Sequence, residues 1–414
     1  MYDFQVFGYY AAPIAATFFP GSNAYASLVA SLTIFGAGFL MRPLGALVLG
    51  AYADHRGRRA GLLLTLCLMA VGTLSIACTP SFARIGLVAP LIVLMGRLIQ
   101  GFSAGAGNPG VSVYLSEIAT PGRKGFYVSW QTASQQVGVI GAALLGLVLT
   151  ANLSQDAMTR WGWRIPLLAG CAIIPLLFFL RRSLEETRAF LERRHHPTAI
   201  EVIKKVVVNW RLVLLAIMLV TTTPVCYYMI TVYTPTFGSA ILHLAYQKTM
   251  IVTLCVGISN FIFTPLMGTL SDRLGRRGIL IGVVALILLT AYPALLWLVG
   301  APSFPKLLAV ELWFSVLFSS YSGAMVVFLT EIMPLQFRTT GCSFAYSFAS
   351  AIGGFTPAIC TFLIHATGNR AVPGLWLCLV ALCGLIATLL LSPQRIARTV
   401  AFTAVEPGGT AAVY

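Results

Sequence analysis

This sequence is poor in charged residues, since only 9% of its 414 residues are Asp, Glu, Lys or Arg. A water-soluble chain of this length carries about 25% charged residues. Because 58% of the residues are hydrophobic, too little polar surface is left to keep such a particle dissolved. Apolar stretches of roughly 20 residues recur, each long enough to cross a hydrocarbon core of about 30 Å. The composition therefore predicts an all-α membrane protein.

Motifs for metals, disulfides and covalent catalysis are also missing. The nine cysteines lie in or at the ends of apolar runs, and none of them forms a CxxC pair. This distribution favours helix packing over a zinc site or a disulfide framework. The five histidines show no metal-ligand spacing, and no nucleophile–base set stands out. We therefore expect no metal, no cofactor and no enzymatic activity.

Twelve apolar runs can be assigned as membrane spans. They lie near 1–19, 27–52, 60–79, 85–114, 124–150, 163–180, 211–235, 248–270, 277–299, 306–330, 340–365 and 373–392. The long polar stretch between the sixth and seventh runs divides them into two sets of six. The predicted units are an N-terminal half over 1–180, a cytoplasmic linker over 181–210, a C-terminal half over 211–392 and a cytoplasmic tail over 393–414.

The formal net charge of +15 would favour a nucleic acid partner in a soluble protein. Here the Lys and Arg residues lie between apolar runs, and there is no basic face with stacking aromatics. With the twelve spans assigned, 19 of them fall on one side of the membrane and six on the other. Since cytoplasmic loops are enriched in Lys and Arg, we predict an inner-membrane protein with both termini in the cytoplasm, in contact with lipid and with no nucleic acid.

An internal repeat relates the two sets of six spans. GAYADHRGRR at 50–59 returns as GTLSDRLGRR at 268–277, an offset of 218 residues, and YLSEI at 114–118 returns as FLTEI at 328–332, an offset of 214. Two echoes at nearly one offset predict two parallel halves related by an axis along the membrane normal.

The first echo also predicts a gate. In each copy an aspartate near a helix end can pair with arginines of the turn, holding the cytoplasmic side shut in one state and releasing it in another. The predicted gating residues are Asp54, Arg58, Asp272 and Arg276. A tight, positively charged turn that only fixes topology is the alternative.

These motifs resemble those of a known family. The pattern GxxxDxxGRR between spans two and three resembles the signature of the major facilitator superfamily, and RLIQG at 97–101 resembles its second motif. Within the superfamily the chain is similar to the metabolite:proton symporters, most closely the citrate and tricarballylate symporters. The segments that carry this likeness are 35–45, 101–105, 111–122, 161–166, 181–187, 231–236 and 353–357. The resemblance implies proton-coupled import of a tricarboxylate by alternating access.

The chain departs from that family at three places. The family's first span begins further upstream, so either the start is misassigned or the first helix is short. Ala-Gly-Asn-Pro stands at 106–109 where the family has Val-Glu-Leu-Gly, so Gly107 replaces an intramembrane glutamate. The stretch before Gly353 is one residue short. The alternatives are therefore a symporter for a dicarboxylate, shikimate or a zwitterionic osmolyte, and a transport-dead relative that acts as a sensor or scaffold.

Two arginines are predicted to lie within spans. A carrier for a polycarboxylate must offset negative charge in a low-dielectric path, and the guanidinium fork binds carboxylates in a bidentate way. Arg97 is expected near the midplane of span four, and Arg42 in span two. We predict that both bind substrate. The alternatives are a structural pair between Arg97 and an acid, and an Arg42-Pro43 step that anchors a kink.

Acidic residues inside the predicted spans are limited to Asp3 in span one and Glu311 in span ten. Proton symport needs a group that titrates as the site alternates, so both are candidates for proton coupling. Asp3 is preferred because the first helix lines the cavity in the fold that the resemblance implies. The alternative for Asp3 is an ordinary residue at a helix end.

Neutral polar side chains complete the predicted substrate site. The candidates are Gln131, Gln135, Tyr228, Asn260, Tyr321 and Tyr346. Gln131 and Gln135 are four residues apart and share a helix face. The alternative for each candidate is hydrogen bonding that only joins helices. We expect a monomer whose partners are a small carboxylate, protons and lipid.

Overall fold

The computed structural model describes residues 2–21, 23–105, 108–182, 206–334 and 338–391. Most of the predicted linker, the whole predicted tail and Gly107 lie outside the described residues, as do the side chains of Asp54 and Arg58. The spans are helical, and we number them α1 to α12 in chain order.

Six spans form the N-terminal half. They are α1 (Tyr2–Tyr9 and Ala11–Phe18), α2 (Ala24–Leu40 and Arg42–Arg56), α3 (Arg58–Cys78), α4 (Val88–Ala104 and Asn108–Ile118), α5 (Lys124–Asn152) and α6 (Arg164–Arg182). A short helix, Phe82–Ile85, precedes α4, and a helical segment that includes the π-helix Met158–Gly162 precedes α6.

Six further spans form the C-terminal half. They are α7 (Trp210–Tyr227, then π-helical at Tyr228–Tyr233 and Phe237–Ile241), α8 (Tyr246–Leu274), α9 (Arg276–Gly300), α10 (Phe304–Ile332), α11 (Arg338–Gly354 and Thr356–Thr367) and α12 (Pro373–Leu390). Nine helices in the described part of the chain are long and apolar enough to cross a membrane. The predicted all-α fold with twelve spans is confirmed.

Proline helps to explain two of the interruptions. In α2 the helix breaks at Met41 and restarts at Arg42, with Pro43 next; in α11 it breaks at Phe355 and restarts at Thr356, with Pro357 next. Proline has no N–H to donate, so it fits the first turn of a helix but interrupts a continuous one. Each break therefore lies where the sequence permits a new helix to start.

The packing of the helices repeats between the halves. In the N-terminal half α1 contacts α5 and α6, α3 contacts α4 and α6, and α2 contacts α4. In the C-terminal half α7 contacts α11 and α12, α9 contacts α10 and α12, and α8 contacts α10. Each pair maps onto the other by adding six to both numbers. This is the pseudo-symmetry that the internal repeat predicted.

The turn glycines of the repeat share one backbone conformation. Gly57 between α2 and α3 has φ 98°, and Gly275 between α8 and α9 has φ 88°. Residues with a Cβ rarely adopt such positive φ values, whereas glycine does so at little cost. The two copies of the sequence motif therefore form equivalent turns.

Glycines bring α2 and α4 into backbone contact. A Cβ at Gly101 would collide with the carbonyl oxygen of Gly38, and one at Gly45 would collide with the carbonyl oxygen of Phe102. Without side chains between them, the two helices approach closely, as small residues allow in membranes. In the same interface the backbone of Arg97 lies against Gly38 and that of Arg42 lies against Gly105, so the contact keeps the two arginines near each other.

The two halves touch at both membrane faces. Near the turn that carries the second copy of the repeated motif, Gly125 of α5 lies against Gly268 of α8. Toward the opposite face, the ring of Tyr25 stacks on that of His365 with centroids 3.8 Å apart, and Tyr246 Oη donates to the carbonyl of Tyr9 at 2.9 Å. Residues at the centre are consequently buried, and Arg97 has 0% of its surface exposed.

Candidate substrate and proton site

Arg97 is fully buried on α4, and its guanidinium group has two hydrogen-bond partners. Its Nη1 donates to Gln100 Oε1 at 2.8 Å, and its Nη2 donates to the carbonyl of Phe35 at 3.1 Å. Its Nε has no hydrogen-bond partner among the described residues. The prediction placed Arg97 inside span four, and the structure places it in the interior between α1, α2 and α4.

Arg42 begins the second part of α2 and is 5% exposed. Its Nε and Nη2 have no hydrogen-bond partner within the described part of the chain. Unmet donors on a buried cation are costly. Arg42 and Arg97 together therefore offer three donor nitrogens without a partner in the protein interior.

Phenylalanine rings surround both guanidinium groups. The Cζ of Arg97 lies 4.6, 4.7 and 4.9 Å from the ring centroids of Phe4, Phe7 and Phe35. The Cζ of Arg42 lies 4.3 Å from that of Phe39 and 5.1 Å from that of Phe4. Each such contact stabilises a cation by about 0.5–2 kcal/mol. The rings offset part of the cost of burying two positive charges without a full set of partners.

Asp3 lies in the same region, on α1. It is 8% exposed, and its Oδ1 has no hydrogen-bond partner among the described residues. It is close enough to Arg97 for their charges to interact, and the hydroxyl of Thr73 lies within its hydrogen-bonding reach. Thr73 Oγ1 also accepts from Gln100 Nε2 at 2.8 Å. Side chains from α1, α3 and α4 thus connect the carboxyl to the arginine.

The C-terminal half contributes two tyrosines to this region. The ring of Tyr228 packs on Phe39 with centroids 5.0 Å apart and lies near both arginines. Its neighbour Tyr227 accepts a hydrogen bond of 2.6 Å from Gln5 Nε2 of α1. The predicted residues Arg97, Arg42, Asp3 and Tyr228 are therefore brought together.

The predicted glutamines of α5 lie at the edge of this group. Gln131 and Gln135 are both partly exposed, and Gln135 Nε2 donates to the Gln131 carbonyl at 3.4 Å. Gly138, which shares a face with Gln131, lies against Tyr2 of α1. The two glutamines therefore point toward the α1 side of α5.

Asn260 is the centre of a separate polar cluster between α5, α8 and α10. Its Oδ1 accepts from Ser315 at 2.7 Å and from Ser319 at 3.1 Å, and its Nδ2 lies 3.5 Å from Gln136 Oε1. Gln136, rather than Gln131 or Gln135, is the glutamine that this cluster uses. The cluster joins the two halves through side chains that are all buried.

Tyr321 and Tyr346 lie within the C-terminal half. Tyr321 Oη donates to the carbonyl of Leu219 on α7 at 2.7 Å and lies close to Gly384 of α12. Tyr346 of α11 lies near Cys342 and Tyr321. The structure does not bring this pair together with Arg42 and Arg97.

Glu311 is buried in α10, with 3% of its surface exposed. Its carboxyl lies within hydrogen-bonding reach of Thr234 in the irregular part of α7, and its Oε2 has no partner in the described residues. No salt bridge to Glu311 occurs within the described ranges. It lies in the N-terminal part of α10, apart from Asp3.

The C-terminal end of α8 carries the second copy of the repeated motif. Asp272 accepts hydrogen bonds from the backbone N–H of Gly125 at 2.8 Å and of Phe126 at 3.2 Å. These groups are the free donors at the start of α5, where a carboxylate is favourable. Arg276 pairs with Asp272 at 3.0 Å and also with Glu331. The C-terminal copy therefore connects the halves where α8 ends and α5 begins.

Comparisons with known proteins agree with this fold. The chain matches the family model for the Major Facilitator Superfamily over residues 1–291 and that for Sugar (and other) transporters over residues 192–400. The first match covers well over half of the chain. The chain belongs to the major facilitator superfamily. The family predicted from the sequence motifs is confirmed.

Curated relatives within the superfamily share much of the sequence. The chain is 54% identical over 391 residues to the citrate-proton symporter of Salmonella typhi, covering 94% of this chain and 90% of the relative. It is 55% identical over 388 residues to that of Klebsiella pneumoniae, covering 94% and 87%. It is 30% identical over 393 residues to the alpha-ketoglutarate permease of Escherichia coli (strain K12), covering 94% and 90%.

Solved structures of the superfamily share the fold at low identity. The D-xylose-proton symporter superposes with a TM-score of 0.74 at 16% identity, covering 95% of this chain and 94% of that one. The partially occluded inward open form of XylE from E. coli superposes with a TM-score of 0.72 at 17% identity, covering 94% and 93%.

Five buried polar residues were not among the predicted site residues. They are Gln5, Thr73, Gln100, Gln136 and Tyr227. Each is buried in an apolar helix and bonds a side chain on another helix or, for Gln100, also on its own. The signal that could have found them is the cost of burying an amide or hydroxyl without a partner, applied to every polar residue in a span.

Proposed function

We propose that the chain is a proton-coupled symporter that imports a tricarboxylate such as citrate by alternating access. The observation that carries this proposal is the pair of buried arginines with unpaired N–H groups beside the buried carboxyl of Asp3. A polycarboxylate supplies the acceptors that these donors lack. The 54–55% identity to two citrate-proton symporters supports the same substrate class.

Substrate carboxylates bind Arg42 and Arg97 and replace their contacts with the phenylalanine rings. Carboxylate–guanidinium hydrogen bonds are among the strong ones in proteins, so the exchange is favourable once the substrate has lost its water. Tyr228 borders the arginines from the other half and closes the site. The proposed site also includes Gln131 and Gln135. Three further residues act on it through contacts between helices: Asn260, Tyr321 and Tyr346.

Asp3 couples the proton. When Asp3 is ionised, its charge competes with the substrate for Arg97. When it is protonated, Arg97 is free to bind a carboxylate, so proton and substrate bind together. Gln100 and Thr73 connect the two groups and allow the occupancy of one to affect the other. Glu311, buried without a salt bridge among the described residues, is the second candidate proton site.

Alternating access follows from the contacts between the halves. Asp272 holds α5 at the cytoplasmic side, and Tyr25–His365 joins the outer ends. If the Asp272 contacts break while the Tyr25–His365 contact persists, or the reverse, the site opens to one side of the membrane at a time. Asp272 and Arg276 act as a gate, and Asp54 and Arg58 act in the same way in the other half.

The two buried cations favour a polyanion over a zwitterion. The chain is also 32% identical to a proline/betaine transporter of Escherichia coli (strain K12). A zwitterion carries one carboxylate and one cationic group, so it would leave one arginine unpaired and place a cation beside it. The site is therefore expected to bind di- and tricarboxylates more tightly than zwitterionic osmolytes.

We propose that the chain works as a monomer in the cell inner membrane, with both termini cytoplasmic and no cofactor. The test is uptake of labelled citrate into proteoliposomes under an inward proton gradient. Accumulation that collapses with a protonophore supports the proposal. No uptake of citrate or tricarballylate removes the substrate assignment, and it favours a transport-dead relative or another solute, which a thermal-shift panel of ligands would separate.

A further inference from the structure

Gln5 and Tyr227 form a hydrogen bond across the centre of the molecule. Gln5 lies on α1, Tyr227 ends the first part of α7, and the Nε2 of Gln5 lies 2.6 Å from the Oη of Tyr227. Gln5 has no exposed surface, and Tyr227 is 7% exposed. The bond joins the N-terminal half to the C-terminal half at the level of the arginines.

The other side of the Gln5 amide is unsatisfied. Its Oε1 is buried and has no hydrogen-bond partner among the described residues. A buried acceptor without a donor is unfavourable, and any ligand group that donates to it regains that free energy. Tyr227 holds Nε2, so the free end of the amide is the acceptor.

This acceptor lies in the same region of the interior as the arginine pair. Phe4, the residue before Gln5, has its ring centroid within 5.1 Å of Cζ in both Arg42 and Arg97. Tyr227 is near enough to Arg42 for their groups to interact electrostatically. The region therefore holds three free donor atoms, on the arginines, and two free acceptors, Gln5 Oε1 and Asp3 Oδ1. In the proposed cycle Asp3 takes up the proton, so Gln5 Oε1 is the acceptor left for the substrate.

A ligand that satisfies this set needs carboxylates and a hydroxyl. Ionised carboxylates only accept hydrogen bonds, so they meet the arginine donors but not Gln5 Oε1. An alcohol O–H donates, and it is the group that a hydroxy acid has and its deoxy analogue lacks. We propose that Gln5 Oε1 accepts a hydrogen bond from the hydroxyl of a hydroxycarboxylate, so that the site binds citrate more tightly than tricarballylate. This inference rests on the proposed function.

Tyr227 is the positioning residue of this pair. Its hydroxyl fixes the rotation of the Gln5 amide so that Oε1 faces the site. Because Tyr227 belongs to the other half, the amide is fixed when the halves are in contact around the substrate. The hydroxyl is therefore recognised in the closed state, and the discrimination appears in affinity and not only in the rate of entry.

The test compares two acids that differ by one hydroxyl. Competition of citrate and tricarballylate for labelled citrate is measured on the full-length purified protein, and uptake of each is measured in proteoliposomes. In the wild type, citrate is expected to bind at least about tenfold more tightly, the worth of one buried hydrogen bond. In Gln5→Leu, citrate affinity falls about tenfold, and tricarballylate affinity stays within about twofold.

Two further variants keep the proposal falsifiable. Gln247→Leu, at an exposed position at the start of α8, makes the same change away from the site and keeps the wild-type ratio. Tyr227→Phe keeps the ring, frees the amide to rotate, and lowers the ratio of the two affinities. This variant covers the case in which Gln5→Leu fails to fold.

The outcomes separate this proposal from the proposed function. A wild type that binds both acids equally, or a folded Gln5→Leu or Tyr227→Phe protein with the wild-type ratio, overturns the role of Gln5 and leaves citrate transport standing. A wild type that neither binds nor transports either acid overturns the proposed function itself. Malate and succinate, which also differ by one hydroxyl, give the same ratio test for dicarboxylates.

Discussion

Arg42 and Arg97 share one aromatic ring. The Cζ of Arg42 lies 5.1 Å, and that of Arg97 4.6 Å, from the centroid of Phe4. Two like charges repel each other in a low-dielectric interior, and the ring attracts both. In the proposed cycle the substrate takes over this role with its carboxylates. The pair is the feature from which the predictions on binding follow.

Replacing Arg42 by Lys should weaken citrate binding while keeping the charge. Lysine cannot reproduce the planar fork that pairs with a carboxylate, so a loss of about tenfold or more in affinity is expected. Equilibrium binding of labelled citrate checks this. Arg84→Lys, near the outer surface, is the matched control and should bind as the wild type does. Equal affinity of Arg42→Lys and wild type would mean that Arg42 does not form a bidentate contact.

Asp3→Asn should separate exchange from accumulation. The amide keeps the size of the side chain but cannot take up or release a proton, so the gradient no longer drives transport. Counterflow of labelled citrate against internal citrate should persist and become insensitive to pH, while gradient-driven accumulation is lost. Both are measured in proteoliposomes.

Two variants frame that result. Asp156→Asn, whose carboxylate forms an exposed pair with Arg160, should retain accumulation. Glu311→Gln tests the second candidate proton site, and retained accumulation there assigns the coupling to Asp3. Accumulation by Asp3→Asn at the wild-type level would remove Asp3 from the coupling mechanism.

Gly101→Ala should destabilise the α2–α4 contact. The new methyl group would overlap the carbonyl oxygen of Gly38, and overpacking of this kind costs about 1–3 kcal/mol. A lower unfolding temperature, followed by intrinsic fluorescence in detergent, checks this, and citrate affinity should fall as Arg97 moves. Gly282→Ala is the control, because a Cβ there meets nothing within 4 Å. An unchanged unfolding temperature in Gly101→Ala would contradict the close contact.

Asp272→Ala should loosen the cytoplasmic contact between the halves. The start of α5 would lose two hydrogen bonds from its backbone, and such a cap stabilises a helix by about 1 kcal/mol. Hydrogen–deuterium exchange at Gly125 and Phe126 should speed up about fivefold, and citrate uptake should slow. Asp156→Ala, at an exposed pair in the helical segment before α6, should leave both unchanged. Unaltered exchange in Asp272→Ala would show that the contact is not a gate.

Hydropathy and the internal repeat were enough to predict the fold because both can be recognised from the order of residues along the chain. Length and apolarity fix a span, and the echoes of Asp54 at Asp272 and of Glu117 at Glu331 fix the symmetry of the halves. Among the interruptions inside spans, a kink at Arg42-Pro43 was named as an alternative, and the irregular part of α7 was not predicted. The π-helical part of α7, which brings Thr234 beside Glu311, depends on the packing of neighbouring helices, and hydropathy does not report on that.

The candidate site could be predicted only in part. Arg97 and Asp3 stand out because a charged side chain in an apolar membrane span is costly and usually has a function. Gln5 does not stand out, since its partner Tyr227 is 222 residues away and their meeting depends on how the halves dock. Gln136 was passed over for Gln135 because one residue turns the side chain by about 100° around the helix, and the sequence does not say which face meets α8.

Equilibrium binding of labelled citrate to wild-type and Arg97→Gln protein tests the central claim most directly. Removing one partner of a buried charged contact costs about 2–5 kcal/mol, so the variant should bind at least about 30-fold more weakly while unfolding at a similar temperature. Citrate binding by folded Arg97→Gln at the wild-type affinity would contradict the claim that the buried arginines hold the substrate.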